Sequence, residues 1–560
     1  MPNNNNNAMH LYHVSGASTA NNFFQIQRII EKYFENNKSE NNISTETLPF
    51  LKHFNNIVDL VTFIYKKRLE NDLSYEKHTT LIIYDVDQPK GNDTETNDLN
   101  SLNFHDFKLL FDNFFGVLQF SVVQYHSILD NNYQLLNDFI HSDLSIYKPI
   151  LSNRLNRIDH WCYTKDTKNS YGCTNCIYSM YNHLLKSMEI SNDTTPASLK
   201  LQKIYQLIYT NINFKEVLLN LFFNKTRNST NLLNDLTSKV NTWDFNALAY
   251  TLKELVVISY ILLADVMSSN GLLSDNGNSS NRLLGFIFIT ESLYHQGNKF
   301  HNFKHGVDVL QATYWLCKCL NNFITPIDKL LVCISAIGHD VGHPGTNNML
   351  LNDKICPISK EFYHNNSVLE NFHSEIYIKL INISQVLNNK NLLSQLESDD
   401  LIQKIILATD MAKHGDFVKY IDCSQKETNS SILKELIIKA ADISNVTRPL
   451  CVSVKWGVLI VYEFNECNKL KENNDNKDIK TTQLDENKRQ KREDYDTEFI
   501  MPSSVEECVQ KYPGLPAGQL FFINTFALEL FEKLSDKFEN ELHFLLENIL
   551  SNKRYWESRT

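Results

Sequence analysis

GHDVGHPGTNN, from Gly338 to Asn348, is the stretch on which the reading of this chain turns. It sets His339, Asp340 and His343 close together, ahead of a Pro344-Gly345 turn that would end a helix. Burying an adjacent His and Asp is costly unless they are put to use. Such a pair suits a centre of two ions, because the carboxylate can bridge while the imidazole holds one of them. Upstream, FHNFKHGVDVLQ (Phe300 to Gln311) sets His301 and His305 four apart, on one helical face. Downstream, LATDMAKH (Leu407 to His414) offers Thr409 and Asp410, and KAADISN (Lys439 to Asn445) offers Asp442. Each segment alone has a plainer explanation: a lone histidine on an apolar helix is more often core, and Asp442 could simply cap a helix. All four in one helical zone point to a metal centre. Imidazoles with carboxylates suit zinc; carboxylates with waters suit magnesium or manganese.

Working outward, the pattern from Trp243 to the C-terminus is helical nearly throughout. Apolar residues recur at three- and four-residue spacing, as in Ile402-Ile405-Ile406 and Leu520-Ile523-Ala527-Leu530. The reading is a multidomain chain: an all-α helical-bundle domain over residues 241–560, preceded by a small α/β domain over 1–145 and a connector with some helix over 146–240. In the first zone, Met9–Val14, Leu81–Tyr84 and Val117–Tyr125 read as strands. They alternate with helix-like patterns near Asn22–Phe34, Asn55–Leu69 and Phe104–Phe115. That rhythm suggests a parallel sheet. A receiver-like domain would fit it by analogy, with Asp85 and Asp87 as candidate acids and a regulatory or dimerising role. Residues 469–498 are charged at nearly every second position and read as a disordered insertion. Within them, Lys488-Arg489-Gln490-Lys491-Arg492 reads as a solvated charge run and only weakly as a nuclear-localisation pattern.

Composition narrows the function further. The chain has 560 residues and a net charge of −11, which counts against nucleic-acid binding. A small anionic substrate is still admissible, because a bound metal supplies local positive charge. Eleven cysteines is an odd number, and the opening Met1-Pro2 with its five asparagines lacks a secretory pattern. The longest apolar stretch, Leu255 to Met267, is too short to span a bilayer. The expectation is a cytoplasmic protein with free thiols, with a nuclear location also open. His160, Cys162, Cys173, Cys176 and His183 could hold a structural zinc, but the second half of such a motif is missing, and unremarkable thiols are the favoured reading. The chain has no P-loop, HExxH or GxSxG motif.

HDVGHPGTNNML (His339 to Leu350), together with the flanking segments in their order, NSVLENFH (Asn366 to His373) and AGQLFFINTF (Ala517 to Phe526), resembles the class I 3′,5′-cyclic nucleotide phosphodiesterases, most of all the fungal high-affinity cAMP enzymes of budding yeasts. The resemblance implies a many-helix catalytic domain with a deep pocket. It implies that His305, His339, Asp340 and Asp442 hold the tighter ion, probable zinc in that family, and that Asp340 bridges to a second ion, magnesium or manganese. His343, Asn348, Glu370, His373, Thr409 and Asp410 would orient waters around the ions. A bridging hydroxide would attack the cyclic phosphate of cAMP, and His301, held by Glu463, would protonate the leaving oxygen to give 5′-AMP. Gln519 would read the purine, Phe522 and Ile460 would sandwich it, and Asn445 would favour adenine.

The match has departures. Phe300 stands where animal enzymes carry Tyr, Lys439 where His is common, and Ser453 where cAMP-specific animal enzymes carry Tyr. None removes an implied metal ligand. Two other readings remain at this stage: another His-Asp metal hydrolase acting on nucleotides, and a catalytically inert cyclic-nucleotide sensor. Homo-oligomerisation is open.

Overall fold

The computed structural model describes residues 9–16, 19, 22–36, 51–70, 79–86, 97–115, 120–125, 154–163, 196–223, 229–273, 277–352, 358–359, 367–387, 400–423, 430–477 and 499–560. The chain divides into two compact units, one of residues 1–217 with 484–496 and one of 218–483 with 497–560. The division falls inside the stretch that the sequence reading treats as a connector.

The first unit is a parallel sheet with helices, as the alternation of elements predicts. Its strands are β1 (Met9–Ser15), β2 (Leu51–Phe54), β3 (Thr79–Asp85) and β4 (Phe120–Gln124), paired in the order β2-β1-β3-β4. Every pairing is parallel, with Leu11 opposite both Leu51 and Leu81. Its helices include α1 (Asn22–Asn36), α2 (Ile57–Leu69) and α3 (Phe104–Phe114). Leu11, Leu51, Leu81 and Ile83 form one buried cluster with Ile26 and Ile30 of α1. Successive strand residues face opposite sides, so Tyr12, Val14, Ile82 and Tyr84 are buried on the other side. A strand covered on both faces reads as a continuous apolar run, which explains Leu81 to Tyr84.

Strand β2 was not foreseen. It is only four residues long, and its middle pair, Lys52 and His53, is half-buried. Neither a two-residue alternation nor an apolar run marks it. Asp85 closes β3 and is buried; its Oδ2 accepts from His13 Nε2 at 3.1 Å and from Asn22 Nδ2 at 3.0 Å. Asp87 lies outside the described residues, as do Cys173, Cys176 and His183.

The second unit is helical. Its centre is α5 (Phe303–Cys319), which packs on α4 (Leu252–Ser268), α6 (Pro326–Gly338) and α8 (Ser430–Asp442). Between Phe303 and Cys317 nearly every α5 residue is buried, as befits a helix walled on all sides. Around this centre stand α7 (Val368–Ser384), α9 (Leu450–Lys477), α10 (Leu515–Phe522) and α11 (Glu539–Glu557). Among the described residues, no helix is long and apolar enough to cross a membrane.

Helix α9 corrects one expectation. The charged stretch read as a disordered insertion from residue 469 begins as helix, which continues to Lys477. Buried Cys467 and Leu470 anchor this last part, and once a helix is nucleated, Lys, Glu and Asn extend it at small cost. Residues 478–498 lie outside the described residues.

Candidate metal centre and nucleotide pocket

Four of the singled-out side chains converge in the second unit. His305 comes from the first turns of α5, where the Asn302 side chain caps the helix by accepting from Lys304 N and His305 N. His339 follows the end of α6, and Asp442 ends α8. Asp340 comes next, in a turn that Gly342 allows by taking φ of 74°. His305 Nε2 lies 3.1 Å from Asp442 Oδ1 and 3.5 Å from Asp340 Oδ2. His339 Nε2 lies 3.1 Å from Asp340 Oδ2 and 3.3 Å from Asp442 Oδ1.

These spacings have a direct meaning. An ion bonded at about 2.1 Å to each atom would hold neighbouring ligands roughly 3.0–3.4 Å apart, depending on its geometry. Proton positions point the same way. His339 Nδ1 lies 2.8 Å from the Ala336 carbonyl, so it must carry the hydrogen. The buried Nε2 therefore turns a lone pair toward two carboxylate oxygens and has no hydrogen-bond partner. Only a cation or an added proton relieves that arrangement. Burial pushes the His339 imidazole down, but Asp340 and Asp442 outweigh it and raise it well above its usual range. Burial likewise opposes ionisation of Asp340, yet His339 holds its carboxyl well below the usual carboxylate range. The residues present fit a divalent ion.

A second cluster faces the other oxygen of Asp340. The ligand atoms of Asp340, His343 and His373 lie within 4.8 Å of one another. His373 Nε2 is 3.8 Å from Asp340 Oδ1 and has no hydrogen-bond partner, while its Nδ1 donates to Val341 O at 2.7 Å. Burial lowers His373 to about 4, so its free nitrogen can accept from a water. His343 is likewise lowered well below its usual range, by burial first and by His301 next. Beyond them, Asn348 Nδ2 donates to Glu370 Oε2 at 2.9 Å, and Ser367 donates to Asp410 Oδ2. Burial, then Asp410, raises Glu370 to about 7. Thr409 donates to Ile406 O at 2.8 Å. Lys439 Nζ donates to Ala408 O at 3.0 Å and Asp410 O at 3.1 Å, tying this rim to α8.

His301 stands beside both clusters. Its Nδ1 makes a short hydrogen bond to Glu463 Oε1, and Glu463 Oε2 accepts from Phe300 N at 2.9 Å. Burial pushes His301 down, but Glu463 more than reverses this, and the imidazole rises to about 9. Glu463 therefore favours the imidazolium form of His301, whose side chain is partly exposed.

The base-side residues come from three elements. Ile460 lies on α9, Gln519 and Phe522 lie three apart on one face of α10, and Asn445 lies in the short 3₁₀ turn Ser444–Thr447. Helices α9 and α10 pack together. Gln519 is buried, whereas Ile460, Phe522 and Asn445 are half-buried.

Sequence reasoning missed Asn298. Its buried side chain donates to His301 O at 2.7 Å and to His343 O at 2.7 Å, clamping the two histidine-bearing segments. An asparagine in a turn carries no mark of that role in the sequence. Arg448 was also missed: its buried guanidinium donates to Trp243 O at 2.9 Å and Gln311 Oε1 at 2.8 Å, locking the 3₁₀ turn of Asn445 against α5.

A family model described as 3′5′-cyclic nucleotide phosphodiesterase matches residues 300–549. The chain is 34% identical over 523 residues, 89% of its own length and 92% of the relative's, to the 3′,5′-cyclic-nucleotide phosphodiesterase 2 of Saccharomyces cerevisiae. This chain belongs to the 3′,5′-cyclic nucleotide phosphodiesterase family. It is a phosphoric diester hydrolase. The solved structure of yeast caPDE2 in complex with IBMX superposes with a TM-score of 0.74 at 26% identity, covering 98% of this chain and 100% of that one. A human relative, the high affinity cAMP-specific and IBMX-insensitive 3′,5′-cyclic phosphodiesterase 8A, is 28% identical over 315 residues, 50% of this chain and 34% of that protein. The phosphodiesterase match begins at Phe300, immediately before His301.

Proposed function

We propose that this phosphodiesterase hydrolyses 3′,5′-cyclic AMP to 5′-AMP and so lowers cAMP signalling. The observation that carries the reading is the meeting of His305, His339, Asp340 and Asp442 within 3.1–3.5 Å, beside the His301–Glu463 pair. Those four residues would hold the tighter ion, Zn²⁺ in our reading. The outer oxygen of Asp340 would face a second, Mg²⁺ or Mn²⁺. Together such ions would activate water and neutralise charge on the phosphoryl oxygens.

The chain's own residues do the rest. His343, Asn348, Glu370, His373, Thr409 and Asp410 orient the waters of the second position, where the neutral His373 can accept from one of them. His301 gives its Nε2 proton to the leaving 3′ oxygen as the bond from that oxygen to phosphorus breaks. Glu463 keeps that proton in place by accepting at Nδ1, so the imidazole carries charge until the moment of transfer. Gln519 pairs with the purine edge, Phe522 and Ile460 cover its two faces, and Asn445 favours adenine by hydrogen bonding.

The test is hydrolysis of cAMP and cGMP side by side, with magnesium, a chelator control and an Asp442→Ala variant. AMP from cAMP, little GMP and a silent variant support the whole reading. Equal turnover of both nucleotides removes the base preference and keeps the chemistry. Folded, metal-loaded protein that turns over neither would refute the reading.

A further inference from the structure

Gln519 is buried as a residue, and among the described residues no group hydrogen-bonds its carboxamide. Ser453, four residues before Gly457 on α9, is itself buried with an unpartnered Oγ. The Gln519 side chain lies close against Gly457 of α9. A Cβ added at Gly457 would lie 2.6 Å from Gln519 Nε2, 2.9 Å from its Cδ and 3.3 Å from Leu515 Cδ1. Ser453, Gly457 and Ile460 fall at positions i, i+4 and i+7, so they line one face of α9. That face presents a slot as wide as one missing side chain, and the Gln519 amide lies in it.

We propose that Gly457 is a positioning residue for base recognition: by lacking a side chain it sets where the Gln519 amide meets the purine. The proposal rests on the reading of Gln519 as the base-reading group. The Gln519 amide has no hydrogen-bond partner among the described residues, and a ligand edge can pair with it only where it stands. Ordinary contact with a Cβ begins near 3.4 Å, so alanine at 457 would drive the amide about 0.8 Å outward. That displacement is enough to spoil hydrogen bonds tuned to a few tenths of an ångström. The obstacle is the far end of a flexible side chain, so the helix itself has no reason to yield. Alanine also favours the helix more than glycine does.

The test is Gly457→Ala in the full chain. Its thermal midpoint should stay level or rise. KM for the cyclic nucleotide should rise about 10-fold with kcat within about twofold, because the amide stands apart from the reacting phosphate. Calorimetry separates the base from the rest. Affinity for 5′-AMP should fall about 10-fold, while that for ribose 5-phosphate, which has no base, should hold. Adding Gln519→Ala to Gly457→Ala should cost nothing more, since both act through one amide. Unchanged KM in Gly457→Ala, alongside a raised KM in Gln519→Ala, overturns the proposal alone. Unchanged KM in Gln519→Ala overturns the base-reading role beneath it. Equal losses of 5′-AMP and ribose 5-phosphate affinity would show general disturbance and also overturn the proposal.

Discussion

Glu463→Gln should move the alkaline limb of the rate profile to lower pH. In the native protein, burial pushes His301 down from 6.5, and Glu463 more than compensates, bringing it to about 9. The imidazolium is then about 97% populated at about pH 7.5. Removing the carboxylate's charge leaves burial opposed only by Asp340 and Asp442, so the folded value falls toward the ordinary imidazole range. At an ordinary imidazole pKa of about 6.5 the protonated fraction at that same pH would be about 10%. The expected result is a kcat lowered by up to ~10-fold at pH 7.5, with much of the loss recovered near pH 6, and an alkaline limb displaced downward by up to about two units. Glutamine can still accept from Phe300 N, where the carboxylate now accepts at 2.9 Å, so the fold should hold. Steady-state kcat between pH 5.5 and 10 is the assay, with circular dichroism as the folding control. An unmoved limb, whatever the rate, would refute the assignment of His301 as the acid held charged by Glu463.

Other expectations concern the surrounding frame. Asp442→Ala should lower tightly held metal, read by plasma mass spectrometry, and reduce activity by ~100-fold or more, because it removes one of four converging donors. Gly338→Ala should destabilise the second unit by about 3 kcal/mol in urea melts with an unchanged m-value, since its Cβ would fall 2.1 Å from the buried Tyr377 ring. Arg448→Met strands the Asp308 carboxylate, 3.4 Å from the guanidinium, and should cost about 3–5 kcal/mol; adding Asp308→Asn should recover part of it.

The converging His and Asp residues were legible because their chemistry and spacing are local. A His-Asp pair before a Pro-Gly turn, and two histidines four apart, announce themselves within a dozen residues. The helical second unit and the parallel sheet were legible through periodicity, and most strand and helix limits agree within two residues. What escaped was set by space rather than by sequence. Strand β2 owes its existence to the neighbouring β1 edge, since LKHF has no pattern of its own. Asn298 acts through two carbonyls, one of them 45 positions away. The slot at Gly457 exists only because α10 returns Gln519 to α9, and a glycine inside a helical pattern looks like a flaw. The extension of α9 to Lys477 escaped for the opposite reason: composition suggested solvent, while the helix before it dictated direction.

Helix α9 carries both Gly457 and Glu463 on a single unbroken rod. Six residues of α-helix advance about 9 Å along the axis, so in the proposed roles the distance from the point where Gly457 meets Gln519 to the point where Glu463 meets His301 is fixed by backbone hydrogen bonds. The rod thus works as a gauge. A ligand whose ring and scissile bond match that span engages both ends together, and one that is too short or too long must surrender an end. On that reading, selection by length would be inherited from the pitch of a helix.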